Sequence, residues 1–123
     1  MKIRIRENTL RIRITQSELK QIAVGELVFS TIKFPGGTKL SYGLYPSVKE
    51  STSIRYQQNN IEIELGQLDQ ATLRDEQSVG IQSVHQAGEH TLELLIEKDF
   101  SCLHLRAKED YDTFPNPNKK ELG

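Results

Sequence analysis

The chain has 123 residues, 36% of them hydrophobic and 27% charged, with a formal net charge of -1. That is enough for one core, too apolar for disorder, and without the global basic field that draws nucleic acid or anionic membrane. No apolar run approaches the ~20 residues of a membrane-spanning helix, Met1–Glu7 lacks a signal-peptide core, and the lone Cys102 forbids an internal disulfide, so a cytoplasmic location is expected.

In chain order, Ile3 and Ile5, then Leu10, Ile12 and Ile14, alternate with charged residues at period two, the mark of half-buried strands. Glu7-Asn8 between them predicts a two-residue turn that pairs Ile5 with Leu10 on the core face. Thr15-Gln16-Ser17-Glu18 matches a capping box, and Leu19, Ile22 and Ala23 follow as a narrow helical stripe. Leu27 to Phe34 and Thr38 to Tyr45 then flank Pro35-Gly36-Gly37, which predicts a second hairpin. Pro46 to Ser53 is polar and links this unit to another like it.

Shifting the sequence by 51 lays Ile3-Arg4 on Ile54-Arg55, Asn8 on Asn59, Ile12 on Ile63, Gln16 on Gln67 and Val28 on Val79. Ile22 falls on Leu73 and, with one extra residue, Leu40, Tyr42 and Leu44 fall on Leu92, Leu94 and Ile96. In the second copy Gln58-Asn59 makes the first turn, Gly66 and Asp69 a weaker helix start, and Leu68, Ala71 and Thr72 the expected inner face. Val79 to Val84 and Thr91 to Glu97 flank a looser loop containing Gly88. The expected organisation is a single domain, with repeat one at 1–48, repeat two at 49–100 and an irregular tail at 101–123. The expected fold class is α+β, mainly antiparallel β. A duplicated strand-strand-helix-strand-strand unit with pseudo-twofold symmetry would form a barrel or a two-layer sandwich, with two short helices.

Lys2, Arg4, Arg6, Arg11 and Arg13 form a basic stripe on the outward positions of the first hairpin. Glu62 and Glu64 occupy the places of Arg11 and Arg13 in the repeat, and Glu93 and Glu97 lie on another outer face. Cross-strand pairs on a solvated face explain this better than phosphate binding, and the stripe has no aromatics to stack bases. Pro35-Gly36-Gly37-Thr38 lies between strands and lacks the Lys-Ser/Thr pair of a phosphate loop.

The chemically dense stretch is where the last strand meets the tail. Asp99, Cys102, His104, Arg106, Glu109 and Asp110 are the candidate binding residues. A thiolate and an imidazole two residues apart on one strand face could supply two zinc ligands. A metal-binding protein or metal-dependent hydrolase using Cys102, His104 and Glu109, with Asp110, Asp112 or His90 as other donors, is therefore the alternative to a non-catalytic binding module. A Cys–His nucleophilic pair is disfavoured, because same-face neighbours sit about 7 Å apart along a strand. No catalytic residue and no cofactor is assigned. The expected partner is a protein or a small ligand, with neither nucleic acid nor membrane.

Lys2-Ile3-Arg4-Ile5-Arg6-Glu7-Asn8, Leu10 to Glu18, and Glu97-Lys98-Asp99-Phe100 through Glu109-Asp110 to Phe114-Pro115-Asn116-Pro117 together resemble a small family of uncharacterised bacterial proteins. The resemblance runs the length of the chain. It implies a stand-alone bacterial protein and adds interest to the tail, and it supplies no activity, cofactor or catalytic residue.

Overall fold

A computed structural model describes residues 1–100 and 112–115. The first copy comprises β1 (Lys2–Arg6), β2 (Thr9–Ile14), α1 (Gln16–Ala23), β3 (Val28–Lys33) and β4 (Lys39–Pro46). The second comprises β5 (Ser53–Gln57), β6 (Asn60–Leu65), α2 (Gln67–Arg74), β7 (Gly80–Ala87) and β8 (His90–Lys98).

Each copy splits its two hairpins between two sheets. The first sheet has the order β1-β2-β8-β7 and the second β3-β4-β6-β5, so each holds one hairpin from either copy. The hairpins are antiparallel internally, but they join through parallel central pairs, β2 with β8 and β4 with β6. The mainly antiparallel organisation expected from the sequence holds, and these two central pairs are its parallel part. Tight turns force antiparallel neighbours within a hairpin, whereas strands brought together from distant segments are free to run parallel. Among the described residues both sheets keep free edges, which excludes the closed barrel and leaves the two-layer sandwich.

Backbone bonds display the pseudo-twofold directly. Glu93 N donates to Asn8 O at 3.0 Å, and the equivalent Ser41 N donates to Asn59 O at 3.0 Å. Asp99 N reaches Ile14 O at 2.8 Å, as Ser47 N reaches Leu65 O at 2.9 Å. One core spans both copies: Leu10, Ile12, Ile14, Ile22, Val28 and Leu44 of the first pack with Ile63, Leu65, Leu73, Ile81, Leu94 and Ile96 of the second. A lone copy would leave two separated hairpins, each marginal in water.

Three local readings change. Val28 pairs with Leu44 as Ile81 pairs with Ile96, so the equivalent of Val28 is Ile81, and Val79 is exposed outside β7. The segment after α2 carries two more residues than the segment after α1, which slips the register. The Gly88 loop is a tight two-residue turn, with Ala87 paired to His90 and Gly88 at φ 63°. In α2, Leu68, Ala71 and Thr72 are exposed and Leu73 carries the burial. That helix is turned by polar ties to the linker: Gln70 Nε2 donates to Ser47 O and Leu65 O at 3.0 and 2.7 Å, and Thr52 Oγ1 donates to Asp69 Oδ2 at 2.5 Å.

Candidate functional site: a cleft between three hairpin ends

Where the two sheets run beyond the core, the ends of three hairpins enclose a cleft of about 340 Å³. Its walls come from β1–β2, β5–β6 and β7–β8. The turns are sharp: Glu7 sits at φ 50°, and Gln58 and Asn59 at 50° and 62°. Asn tolerates that conformation better than most residues. Ile5 pairs with Leu10 and Tyr56 with Ile61, as the turn chemistry predicts. Leu10 is buried, yet Ile5 and Tyr56 remain 62% and 64% exposed. These two are repeat equivalents, so the cleft receives matching apolar contributions from the two halves. Ile54, Ala87 and Leu92 extend the apolar lining.

Polar side chains share the lining, with Glu7, Arg55 and Gln86 exposed and His85 half-buried. On β7 the inward positions are Ile81, Ser83 and His85, which face Ile96, Leu94 and Leu92. Ser83 Oγ and His85 Nε2 lie 2.8 Å apart, and among the described residues His85 Nδ1 has no hydrogen-bond partner. The strand expected over Val79 to Val84 stops before His85, so the sequence offers Ser83 without its partner. Val84 instead points outward and is exposed. Continuous period-two reading from Ile81 would have found them. The imidazole here reaches a side chain two residues away on the same strand face.

Of the residues singled out in the sequence, Cys102, His104, Arg106, Glu109 and Asp110 lie outside the described residues. Among those described, no group of three or more His, Cys, Asp and Glu side chains could hold a metal ion. Asp99 is buried at the end of β8, with its carboxylate 3.3 Å from Lys2 Nζ and its carbonyl accepting from Phe114 N at 2.8 Å. Its neighbour Lys98 donates from Nζ to Asp75 O at 2.8 Å and lies 5.5 Å from the Phe114 ring centre. Burial pushes the Lys98 amine below the usual lysine range.

Asp112 caps α1. Gln16 N donates to Asp112 O at 3.1 Å and Ser17 N to Asp112 Oδ1 at 3.3 Å, while Ser17 Oγ also bonds the carboxylate. The Ser17 hydroxyl holds the Asp112 carboxyl below its ordinary range. The equivalent bonds on α2 run from Gln67 N and Leu68 N to Lys49 O and Glu50 O. The tail thus does for α1 what the linker does for α2. A hollow of about 810 Å³ adjoins it, walled by Leu19, Leu73, Lys98, Phe100 and Phe114.

The basic stripe resolves into ion pairs. Glu97 Oε1 lies 3.2 Å from Arg11 Nε and 3.9 Å from Arg13 Nε, although the Arg11 contact lacks hydrogen-bond alignment. On the other sheet Arg55 Nε meets Glu62 Oε2 at 2.6 Å. Arg4 and Arg6 form no ion pair among the described residues.

Residues 1–118 match the family model of DUF7009, a family of unknown function. The chain belongs to DUF7009. That match covers both copies and the described tail residues that cap α1, so the Asp112 cap and the cleft both fall within the DUF7009 span. No curated protein and no solved structure matches this chain. No helix among the described residues is long and apolar enough to cross a membrane.

Proposed function

We propose that this protein is a non-catalytic binding module which takes a compact, largely apolar small molecule into the cleft between the hairpin ends. The observation that carries this reading is the pair Ile5 and Tyr56. Two equivalent large apolar side chains, each paired across a hairpin with a core or near-core residue, stay more than half exposed at one concave place. Leaving such area in water costs roughly 25 cal/mol per Å², which a bound apolar ligand would recover. A mainly apolar concavity with a few polar groups is the ordinary form of a small-ligand site. The His85 Nδ1 and the polar rim of Glu7, Arg55 and Gln86 offer hydrogen bonds, so the ligand carries an apolar body and at least one polar group. Ser83 and His85 are placed as a hydrogen-bonded pair, but a third group to orient the ring is missing among the described residues, which favours binding over nucleophilic chemistry. The single cysteine suits a cytosolic setting for this binding.

A fragment screen read by amide NMR tests this. Binders should shift resonances of Ile5, Tyr56, Ala87 and Leu92 together. Tyr56→Ala should weaken the best of them about tenfold, the equivalent of losing ~1.4 kcal/mol of aromatic contact. Shifts confined to other surfaces, or binding indifferent to Tyr56→Ala, would overturn the reading.

A further inference from the structure

Every sheet edge is a row of unpaired backbone groups, and a strand that leaves its edge apolar invites another strand. Among the described residues the edges are β1 and β7 in the first sheet, and β3 and β5 in the second. Two of them are blunted on their outward positions, β1 by Lys2, Arg4 and Arg6 and β5 by Arg55 between Ser53 and Gln57, while on β7 the polar Gln82 and Gln86 flank a single exposed Val84. β3 is different. Phe29 is 62% exposed and Ile32 48%, and the flanking Leu27 and Phe34 are exposed as well. The repeat supplies an internal control. By the register that equates Val28 with Ile81, Phe29 stands where β7 has Gln82, and Phe34 where the partner hairpin has Ala87.

The backbone is also arranged for pairing. Phe34 N donates to Thr38 O at 2.8 Å, so by the antiparallel alternation Ile32, Ser30 and Val28 bond to β4. The N–H and C=O groups of Phe29, Thr31 and Lys33 therefore point to the free edge. We infer that β3 is a self-pairing edge, through which two copies of this chain join antiparallel about Ser30 to make one continuous eight-stranded sheet.

That register is self-complementary, as a twofold contact requires. It sets Phe29 opposite Thr31 of the other copy on the outer side and Val28 opposite Ile32 on the inner side. Charge selects the direction. Glu26 precedes the strand and Lys33 ends it, with Lys39 paired beside Lys33. Antiparallel pairing brings the acidic start of each strand to the basic end of the other, whereas parallel pairing would set like charges together. The contact lies on β3, which contributes nothing to the cleft walls, so it stands or falls apart from the ligand reading.

The test combines sedimentation of the full chain over a wide concentration range with one cross-link. Wild type should sediment as a dimer, and Phe29→Lys should raise the dissociation constant at least about tenfold, or 1.4 kcal/mol, while keeping the wild-type circular dichroism spectrum. In a Cys102→Ser background, Ser30→Cys should form a covalent dimer on mild oxidation. The facing Cα atoms of a non-hydrogen-bonded antiparallel pair lie about 4.5 Å apart, within the range a disulfide spans. Gln86→Cys on β7 should not cross-link. A monomer at all concentrations with no cross-link overturns the proposal. So does a dimer that survives Phe29→Lys and leaves Ser30→Cys unlinked, which would locate the contact elsewhere. A monomer whose β3 amides gain protection only when an extended peptide is added also overturns it and gives the edge to a foreign strand.

Discussion

The two sheets agree on the inside and differ on the outside. Facing the core, Ile12 and Ile96 of the first sheet sit in the same relation as Ile63 and Leu44 of the second. On the outer faces the equivalents are unlike: Arg11 and Arg13 against Glu62 and Glu64, Glu97 against Tyr45, Gln82 against Phe29. Close packing ties an inner side chain to its neighbours' volumes, so the repeat stays legible there. An outer residue needs only a compatible neighbour, and opposite charge patterns satisfy that equally well. What distinguishes the two sheets, and gives each its own surface chemistry, is therefore confined to the faces and edges.

The largest effects should come from the shared interior. Ile12→Ala and Ile63→Ala remove equivalent, fully buried side chains, and each should cost about 2–5 kcal/mol in urea unfolding. The two costs should agree within about 1 kcal/mol, and a wide disparity would show that the sheets do not share one core on equal terms.

The first-turn positions of the helices sharpen the contrast. Thr15 caps α1 in a full capping box, accepting from Glu18 N, and Thr15→Ala should cost about 1 kcal/mol. Gly66 holds the same place before α2 without a side-chain cap. From sequence alone Gly66→Thr looks like an improvement. A Cβ there would lie 2.3 Å from Glu50 O and 2.4 Å from Ser51 C, so the substitution should instead destabilise by about 1–3 kcal/mol. A stabilised Gly66→Thr protein would show that the linker yields.

Those cases mark what the sequence discloses. Period-two alternation and turn residues placed both hairpin pairs, because these signals are local. The exchange of hairpins between sheets was hidden, since the partners of β2 and β8 lie some eighty residues apart and no local pattern encodes a parallel central pair. The site was legible in part. The Ile5–Leu10 and Tyr56–Ile61 pairings followed from their turns, but their exposure depends on where the opposing sheet ends. Asp112, one of the candidate donors, serves as a cap for a helix 95 positions away, a role its local sequence does not disclose.

Helix capping also separates the copies by pH. On α2 the acceptor for Leu68 N is the Glu50 carbonyl, which does not titrate; on α1 the acceptor for Ser17 N is the Asp112 carboxylate. Because the folded Asp112 carboxyl is held below its ordinary value, its contribution is complete above about pH 4, near the unfolded Asp pKa, and is lost as pH falls through the lower folded value. Amide exchange should show α1 loosening before α2 in that window, and Asp112→Asn should loosen α1 at neutral pH and remove the difference in acid response.

The smallest effect belongs to the outer charges. Glu97 lies between Arg11 and Arg13, whereas Glu62 serves Arg55 on the other sheet. All five side chains keep contact with water, so Glu97→Gln and Glu62→Gln should each cost no more than about 1 kcal/mol. The two variants should still differ in kind. Glu97→Gln leaves two guanidinium groups facing each other with no counter-charge between them, and its cost should grow as salt is removed. Glu62→Gln leaves Arg55 with Glu64 at 3.9 Å, so its cost should vary less. In about 1 M salt, where charges are screened beyond roughly 3 Å, both should approach zero. A Glu97→Gln penalty that persisted there would mean the basic stripe is held by packing of the arginine stems against Leu95 and its neighbours, and that the outer face of the first sheet is less freely exchangeable than the charge pattern implies.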